Sequence, residues 1–386
     1  MMRYLRILTL TLLVACVVGI SAQEKEQFSV VTLNVDGLPQ KIWFVKVNAD
    51  GPGDAGTARI GKYLWKKGYD IICIQEDFNY HEVLTTWLED DYKFDKWLGG
   101  VGIDLPGKKI DFLHVQNEDF DTDGLGACWK NNITMSNTER VLWNTHFGKF
   151  SHAGDELVRK GFRRSELTLA GGTHVIVYNM HMDAGDLADE KEGVDTPDRE
   201  ARLGQWQQLK DDVLAHLDTR PIIIVGDLNS YYCRDQIKAK FIDAIAESGK
   251  GTASDVWVEL EKGGEYPAPV EGIVACEDDA NMLENGEVLD KIIYINPTTG
   301  TQIRPVSFVL DMEGYKYEGK PLGDHYPLAA TFEVVDRKTS VMDIDLNVTD
   351  QPSAVYYNLN GQRVSQPASG LYIERKGQET HKRIIK

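Results

Sequence analysis

Cysteine is scarce in this sequence, with five residues in 386, and none of the five has the spacing of zinc ligands. Basic residues are also few: 42 lysines and arginines stand against 60 acidic residues, which gives a net charge of −18. This surplus of acid argues against a broad, nonspecific grip on nucleic acid. It leaves open a nuclease with a local basic groove or with a site neutralised by a metal.

Long apolar runs are missing after the first 20 residues, so no later segment has the length needed to span a bilayer. What the sequence does contain is a globular composition, with 42% hydrophobic and 26% charged residues. Its length allows one large domain or two smaller ones. We therefore expect a folded body with a sizeable core.

Residues 1–22 have the pattern of a signal peptide. Arg3 and Arg6 precede an apolar run over residues 7–20, and small residues follow it. Cys16 ends a lipobox-like Leu-Val-Ala-Cys, so lipoprotein anchoring is an alternative, but the apolar residues after it favour a cleaved signal. In either case we expect an exported protein that is secreted, periplasmic or held at the cell surface.

Four cysteines remain if Cys16 is removed with the signal. An even number permits disulfides in an oxidising compartment, but the sequence does not fix their pairing. Cys73 lies inside an apolar run, which favours a buried thiol at that position. The four are Cys73, Cys128, Cys233 and Cys276.

Residues 221–230, PIIIVGDLNS, organise the rest of the chain. The β-branched run 222–225 predicts a strand buried on both faces. Gly226 permits a tight exit, and Asp227 and Asn229 then point to one side because they are two residues apart in extended backbone. A polar cap and turn would also explain these residues, so the other strand ends decide between the two interpretations.

Polar side chains also end several other predicted strands. Strands are predicted over 28–35, 70–76, 165–170, 174–181, 289–295 and 327–335. Helices are predicted over 57–67, 81–88, 198–217 and 235–247. Residues 91–157 show no clear period. Because α/β sheets commonly place their chemistry at strand ends, we expect one shared site. Its candidate members are Asn34, Glu76, His181, Asp227, Asn229, Asp290, Asp324 and His325.

Six short motifs occur along the chain in the order TLNVDGLP, IICIQE, NMHMDAG, IIVGDLNS, LDKIIY and GDHYPL. Together they resemble the endonuclease/exonuclease/phosphatase superfamily, the deoxyribonuclease I-like proteins, and they span residues 28–335. The resemblance implies an α+β fold, a four-layer α/β/β/α sandwich, with the catalytic domain at 28–336. It also implies hydrolysis of a phosphoester with a divalent metal.

The resemblance implies a metal site at the ends of the first two strands. Glu76 is the principal ligand that it predicts, with Asn34 beside it and Asp324 in support. Oxygen ligands of this kind suit Mg²⁺, with Mn²⁺ or Ca²⁺ as alternatives. An ionised Glu76 at the end of so apolar a run also needs a partner or a metal on physical grounds.

The resemblance also implies how the remaining residues share the reaction. His325 is the general base for the attacking water, and Asp290 orients it. Asp227 positions that water, while Asn229 and His181 hold phosphate oxygens, and His181 is a proton donor to the leaving group. An anionic phosphodiester needs such neutralisation, and water needs a base of suitable pKa. Gly-Asp-His stands where many members have Ser-Asp-His, which leaves the chemistry intact.

Two details are similar to the sphingomyelinase-like branch of the superfamily. Gly37-Leu38-Pro39 follows Asn34 closely, and a segment with a lysine-glycine pair, 155–162, precedes a predicted strand. We therefore predict a phosphodiesterase that cleaves phospholipid headgroups. An extracellular endonuclease is the alternative, because secreted nucleases share turns of this kind. A non-enzymatic binding protein is disfavoured, since no position of the catalytic set is replaced.

Aromatic residues in the region without a clear period predict transient contact with a membrane surface. Trp143, Phe147 and Phe150 lie outside any readable strand or helix, and aromatic rings rest at headgroup depth. The body is acidic, so a zwitterionic headgroup fits better than an anionic one. Packing of these residues beneath a long loop is the alternative. No protein partner is predicted.

A polar junction near Ser340 separates the body from a short C-terminal segment. Over 341–386, short apolar stretches alternate with Asn-Gly and Ser-Gly turns, which predicts a small all-β domain. The stretch 356–386 resembles a type IX secretion sorting domain. A small accessory β-domain is the alternative interpretation.

Overall fold

The short β-branched runs of the sequence form strands of two mixed sheets. In this computed structural model the described residues are 25–42, 45–46, 48–99, 122–148, 155, 158–185, 197–269, 282–283, 285–335, 355–357, 363–364, 369–376 and 379–385. They fall into a body that ends at Val335 and a C-terminal unit that begins at Asp336. The predicted signal peptide, with Cys16, lies outside the described residues.

The first sheet contains six strands, namely β1 (Gln27–Asn34), β4 (Ile71–Gln75), β5 (Tyr92–Phe94), β6 (Gly126–Lys130), β13 (Gln302–Leu310) and β16 (Leu328–Val335). Their order across the sheet is β13-β16-β1-β4-β6-β5. Neighbours β1 and β4 run parallel, and the other pairs are antiparallel. The first and last strands of the body, β1 and β16, are therefore neighbours inside this sheet.

The second sheet also contains six strands, namely β7 (Thr134–Leu142), β8 (Gly161–Thr168), β9 (His174–His181), β10 (Ile222–Asp227), β11 (Gly251–Asp255) and β12 (Asp290–Pro297). Their order is β11-β12-β10-β9-β8-β7, and β9 and β10 are the parallel pair. Two short hairpins complete the strands of the body, formed by β2 (Lys41–Ile42) with β3 (Val45–Lys46) and by β14 (Lys316–Tyr317) with β15 (Lys320–Pro321).

Helices cover the outer face of each sheet, while the inner faces pack together. Ile60 and Leu64 join a cluster with the first sheet, and Trp206 joins one with the second. Val30 and Ile223 belong to the apolar layer between the sheets. The helices are α1 (Gly53–Lys67), α2 (His81–Thr85), α3 (Pro197–His216), α4 (Tyr232–Asp235), α5 (Ala244–Glu247) and α6 (Val256–Glu261). These layers confirm the predicted four-layer α/β/β/α sandwich.

A buried pair of amides links the two sheets. Gln75, the last residue of β4, donates from Nε2 to Asn179 Oδ1 of β9 at 2.7 Å. The Asn179 amide donates in turn to the backbone oxygens of Ile74 and Gly126. Because every polar atom of this contact is out of water, the hydrogen bonds fix how the two sheets face each other.

Several elements differ from the sequence prediction. The predicted helix 235–247 is interrupted, since Gln236 has a φ of 55° and a π-helix, Lys238–Asp243, precedes α5. Helix α1 begins at Gly53, four residues before the predicted start. Cys73, Cys128 and Cys233 are buried free thiols, which confirms the thiol predicted at Cys73. Cys276 lies outside the described residues.

The C-terminal unit contains four short antiparallel strands in the order β18-β17-β19-β20. They are β17 (Val355–Tyr357), β18 (Arg363–Val364), β19 (Gly370–Lys376) and β20 (Glu379–Ile385). Throughout the part of the chain that the structure describes, no helix has both the length and the apolar character to cross a membrane.

Candidate active site

Three neighbouring strands of the second sheet bring His181, Asp227 and Asp290 into one row. The last residues of β9 and β10 pair with each other, His181 beside Asp227, because these strands run parallel and end together. The first residue of β12 completes the row, since Asp290 pairs with Asp227 in antiparallel register. All three side chains are buried. Strand register alone therefore assembles three of the predicted site residues.

The first sheet contributes Asn34 and Glu76 from two parallel strands that also end together. Asn34 pairs with Gln75, so Glu76 stands one residue beyond the ladder. The Asn34 Nδ2 atom donates to Glu76 Oε1 and to Asp227 Oδ2, both at 3.0 Å. Its Oδ1 accepts the Asp36 N–H at 2.9 Å. One amide thus joins the acidic residues of the two sheets.

His325 is buried against two carboxylates. Its Nδ1 lies 2.7 Å from Asp290 Oδ2, and its Nε2 lies 3.7 Å from Asp227 Oδ2. Burial lowers the pKa of His325, but the charges of Asp290 and Asp227 outweigh it and raise the pKa well above the usual value. In this arrangement the two carboxylates favour the protonated form of the imidazole.

His181 has the opposite electrostatic environment. Its Nε2 lies 3.4 Å from Asp227 Oδ2 and 3.2 Å from Lys160 Nζ. Burial and then the Lys160 charge lower the pKa of His181 to about 3, so the ring is neutral at neutral pH. The pKa values of the two histidines beside Asp227 are therefore shifted in opposite directions.

Lys160 is a functional residue that the prediction did not place in the site. Its ammonium forms an ion pair with Asp155 and lies 3.4 Å from the Met182 carbonyl oxygen, besides its contact with His181. Burial lowers the pKa of Lys160, but Asp155 and Glu76 raise it above its usual value. The lysine-glycine pair before β8 was the sequence signal for this residue.

Asn229 is held on three sides. Its N–H donates to Asp227 Oδ1 at 3.0 Å, its Nδ2 donates to the Met182 oxygen at 3.1 Å, and its carbonyl accepts from Arg234 Nη2 at 2.8 Å. Its φ of 46° is a left-handed conformation that costs energy outside glycine. These contacts keep the amide at the end of β10, facing the site.

Three carboxylates crowd the ends of β1 and β4. Burial and the Asp324 charge raise the pKa of Glu76 to about 7 and that of Asp36 to about 8. Asp324 itself is exposed. Such an excess of oxygen donors and negative charge fits a hard divalent cation. The prediction included Glu76 and Asp324 but not Asp36, which follows Asn34 by two residues.

A second set of donor atoms, from Asp227, Asp290 and His325, lies within 4.8 Å of one another. The His325 Nδ1 atom and Asp290 Oδ2 are already hydrogen-bonded to each other, which is the arrangement that orients an acid–base histidine. The cluster around Glu76 and the group of Asp227, Asp290 and His325 are thus two neighbouring sets of candidate donor atoms.

No protein-family model matches the chain. The sphingomyelinases of Mycobacterium bovis and Mycobacterium tuberculosis are 28% identical to it over 319 residues, which cover 81% of this chain and 54% of theirs. The chain is therefore similar to these sphingomyelinases. It spans about half the length of these curated relatives.

Two solved structures have a fold similar to that of this chain. TDP2 of D. rerio in complex with a single-strand DNA product has a TM-score of 0.51 at 16% identity, covering 80% of this chain and 100% of that one. Truncated TDP2 of Caenorhabditis elegans has a TM-score of 0.50 at 14% identity, covering 80% and 97%. The chain resembles the sphingomyelinase-like branch of the endonuclease/exonuclease/phosphatase superfamily, as its motifs predict.

The prediction that Trp143 belongs to an exposed aromatic surface is wrong. That side chain is only 6% exposed and packs against Phe162, with ring centroids 5.2 Å apart. Phe147 is half-buried, and Phe150 lies outside the described residues. The error arose because β7 is a polar strand, TMSNTERVL, whose apolar period is too weak to reveal that Trp143 directly follows it.

Proposed function

We propose that this protein hydrolyses the phosphodiester bond of phospholipid headgroups with a bound divalent cation. We expect this cation to be Mg²⁺. The observation that carries the proposal is Asp227, placed between His325 and His181 and tied through Asn34 to Glu76. Pairs of titratable groups with opposed pKa shifts are the usual sign of acid–base roles.

Glu76 would hold the cation, with Asn34, Asp36 and Asp324 around it. As oriented here, the Asn34 amide presents its hydrogens to Glu76 and Asp227, so a half-turn of that amide would present its oxygen instead. When bound, a divalent cation neutralises charge on the phosphate and on the leaving oxygen.

Hydrolysis breaks one P–O ester bond and forms one P–O bond to water. The proton that leaves the water goes to His325, and the leaving oxygen gains a proton from solvent, because the pKa of His181 is lowered to about 3 and its ring is neutral. Asp227 Oδ2, within reach of both imidazoles, can orient the attacking water. His325 accepts its proton in the role that the resemblance assigns. Positive charge near Asp227 and Glu76 favours the neutral form of His325 that a base needs.

Asn229 and Lys160 are the candidate donors to the phosphate. The Asn229 amide and the Lys160 ammonium both contact the Met182 carbonyl oxygen, which holds the two residues together. A charged and a neutral donor, held in a site from which most water is excluded, stabilise the negative charge that develops in the transition state.

The hairpin of β14 and β15 supports a lipid substrate. Tyr317 is 47% exposed there, and the Arg59 guanidinium lies 3.9 Å from its ring centroid. The hairpin ends at Pro321, close in sequence to His325. An exposed aromatic ring with a cation against it suits a zwitterionic phospholipid surface, on an otherwise acidic molecule.

One experiment tests the proposal. The purified protein is assayed with Mg²⁺ on sphingomyelin, phosphatidylcholine and plasmid DNA in parallel, with EDTA and His325→Ala as controls. We expect release of phosphocholine from sphingomyelin, abolished by EDTA and reduced about 10²–10⁴-fold by the substitution, because a general base is lost. Cleavage of plasmid without release of phosphocholine would establish the endonuclease instead.

We also propose export through residues 1–22 and sorting through 341–386, on the sequence features alone. N-terminal sequencing of the mature protein tests the first, since a start near Gln23 indicates a cleaved signal and a start at Cys16 indicates a lipoprotein. Retention of a chain truncated after 340 inside the cell tests the second.

A further inference from the structure

Trp143 connects two residues of the candidate active site through its two N–H groups. Its indole Nε1 donates to the His181 carbonyl oxygen at 2.8 Å, and its backbone N–H donates to the Lys160 oxygen at 3.1 Å. The side chains of those two residues meet, with Lys160 Nζ 3.2 Å from His181 Nε2. One buried tryptophan therefore fixes the backbone behind both partners of this contact.

On the β8 side, the indole takes the place of a strand neighbour that the end of β9 lacks. The ladder between β8 and β9 stops at the pair Phe162–Met180, and β8 begins at Gly161. The His181 carbonyl lies beyond that ladder in a dry interior, where an unpaired oxygen would cost free energy. Trp143 supplies the donor from outside the β8 ladder, so on that side a side chain holds the His181 backbone, while β10 pairs with the other edge.

The orientation of the His181 ring has little other support. A functional histidine is usually oriented by a hydrogen bond from the nitrogen that does not react. His325 has such a bond to Asp290, but no group among the described residues hydrogen-bonds Nδ1 of His181. The ring is placed by contacts at Nε2 and by its backbone, which the Trp143 indole holds.

We propose that Trp143 is a positioning residue for His181, and through it for the contact of His181 with Asp227 and Lys160. The proposal rests on the proposed function only for its effect on catalysis. The geometric part concerns the ring of His181 and stands on the hydrogen bonds alone.

The test replaces the indole N–H without changing the shape of the side chain. At position 143, 3-benzothienylalanine has sulfur in place of the N–H and keeps the bicyclic ring, and Trp143→Phe is a second, simpler variant. The matched control is Trp129→Phe, because Trp129 is equally buried but its Nε1 has no hydrogen-bond partner among the described residues. Melting temperature, imidazole ¹⁵N–¹H spectra and hydrolysis of bis-p-nitrophenyl phosphate are measured for each.

We expect the benzothienyl variant to fold, to shift or broaden the His181 ring signals, and to lower kcat about 10-fold with little change in KM, because the displaced group acts in the reaction. Trp129→Phe should lower the melting temperature and leave the His181 signals and kcat as they were. Unchanged His181 signals in both Trp143 variants would overturn the proposal. If the unmodified protein hydrolyses nothing, the proposed function fails, while the ring signals still decide whether Trp143 positions His181.

Discussion

Asn34 shows how much of this site depends on single side chains. Its amide hydrogens join Glu76 of the first sheet to Asp227 of the second, and its oxygen accepts the Asp36 N–H. His181 and His325 then share Asp227 from opposite sides. Each charge in the group is therefore set by the others, and a change at one residue moves the pKa values of its neighbours.

The first prediction at this scale concerns the proton on His325. Adding Mg²⁺ should lower the pKa of His325, because positive charge at Glu76 opposes the effect of Asp290 and Asp227 that raises it. Titration of the imidazole ¹⁵N signals with and without Mg²⁺ measures the shift. His216, on α3, is the internal control and should not respond. A pKa of His325 that is unaffected by the metal would place the cation elsewhere.

A second prediction concerns the ligand itself. Glu76→Gln keeps the shape of the side chain and removes its charge, so we expect weaker Mg²⁺ binding in calorimetry and a higher Mg²⁺ concentration for half-maximal activity. Glu82→Gln on α2 is the matched control, since Glu82 is exposed. Equal Mg²⁺ affinity in the two variants would make Glu76 a structural residue.

At the scale of elements, strand register accounts for most of what the sequence could predict. The strand His174–His181 has its predicted bounds, and polar residues at the ends of β1, β4, β9 and β10 meet as expected because each of those strands has a readable apolar run. Strand β13 was missed, since Pro305 lies at an irregularity in its pairing and its pattern is mixed. Lys160 and Asp36 were missed as site residues because they reach it from turns, where contacts across the fold decide the position.

The buried amide link between the sheets gives a prediction about stability. Asn179→Ala removes the acceptor of the Gln75 Nε2 group and one donor from each of two backbone oxygens, so the free energy of unfolding should fall by about 3 kcal/mol. Urea denaturation measures this. Asn296→Ala is the comparison, because Asn296 also makes two backbone hydrogen bonds, to Ile303, but is partly exposed to water that can replace them. Similar losses in both variants would show that the inter-sheet link adds nothing of its own.

The hairpin of β14 and β15 gives the prediction about membranes. Tyr317→Ala should lower hydrolysis of sphingomyelin in vesicles several-fold and spare bis-p-nitrophenyl phosphate, because only the vesicle substrate requires the exposed ring at an interface. Val309→Ala removes a comparably exposed apolar side chain from β13 and is the control. A parallel loss on both substrates after Tyr317→Ala would point to a disturbed site and not to membrane contact.

At the scale of the whole molecule, the net charge of −18 separates the two substrate classes. A nuclease that neutralises several phosphates loses affinity steeply as the salt concentration rises, because the release of counterions on binding becomes less favourable. Hydrolysis of zwitterionic vesicles by this acidic protein should instead change less than about twofold between about 50 and 200 mM NaCl. Initial rates at saturating Mg²⁺ measure it, and a steep fall with salt would favour the nucleic-acid substrate.

The pairing of β1 with β16 has a consequence for the order in which the protein becomes active. Gln27 lies opposite Glu333, so this strand pair of the first sheet is formed by residues from the two ends of the body. Closing so long a loop is slow and comes late in folding. A chain still emerging from the ribosome or a translocation channel holds Asn34 and Glu76 but lacks both the strand that flanks β1 and His325. A partly synthesised chain therefore cannot assemble the candidate site, and on the proposed function we expect it to be inactive.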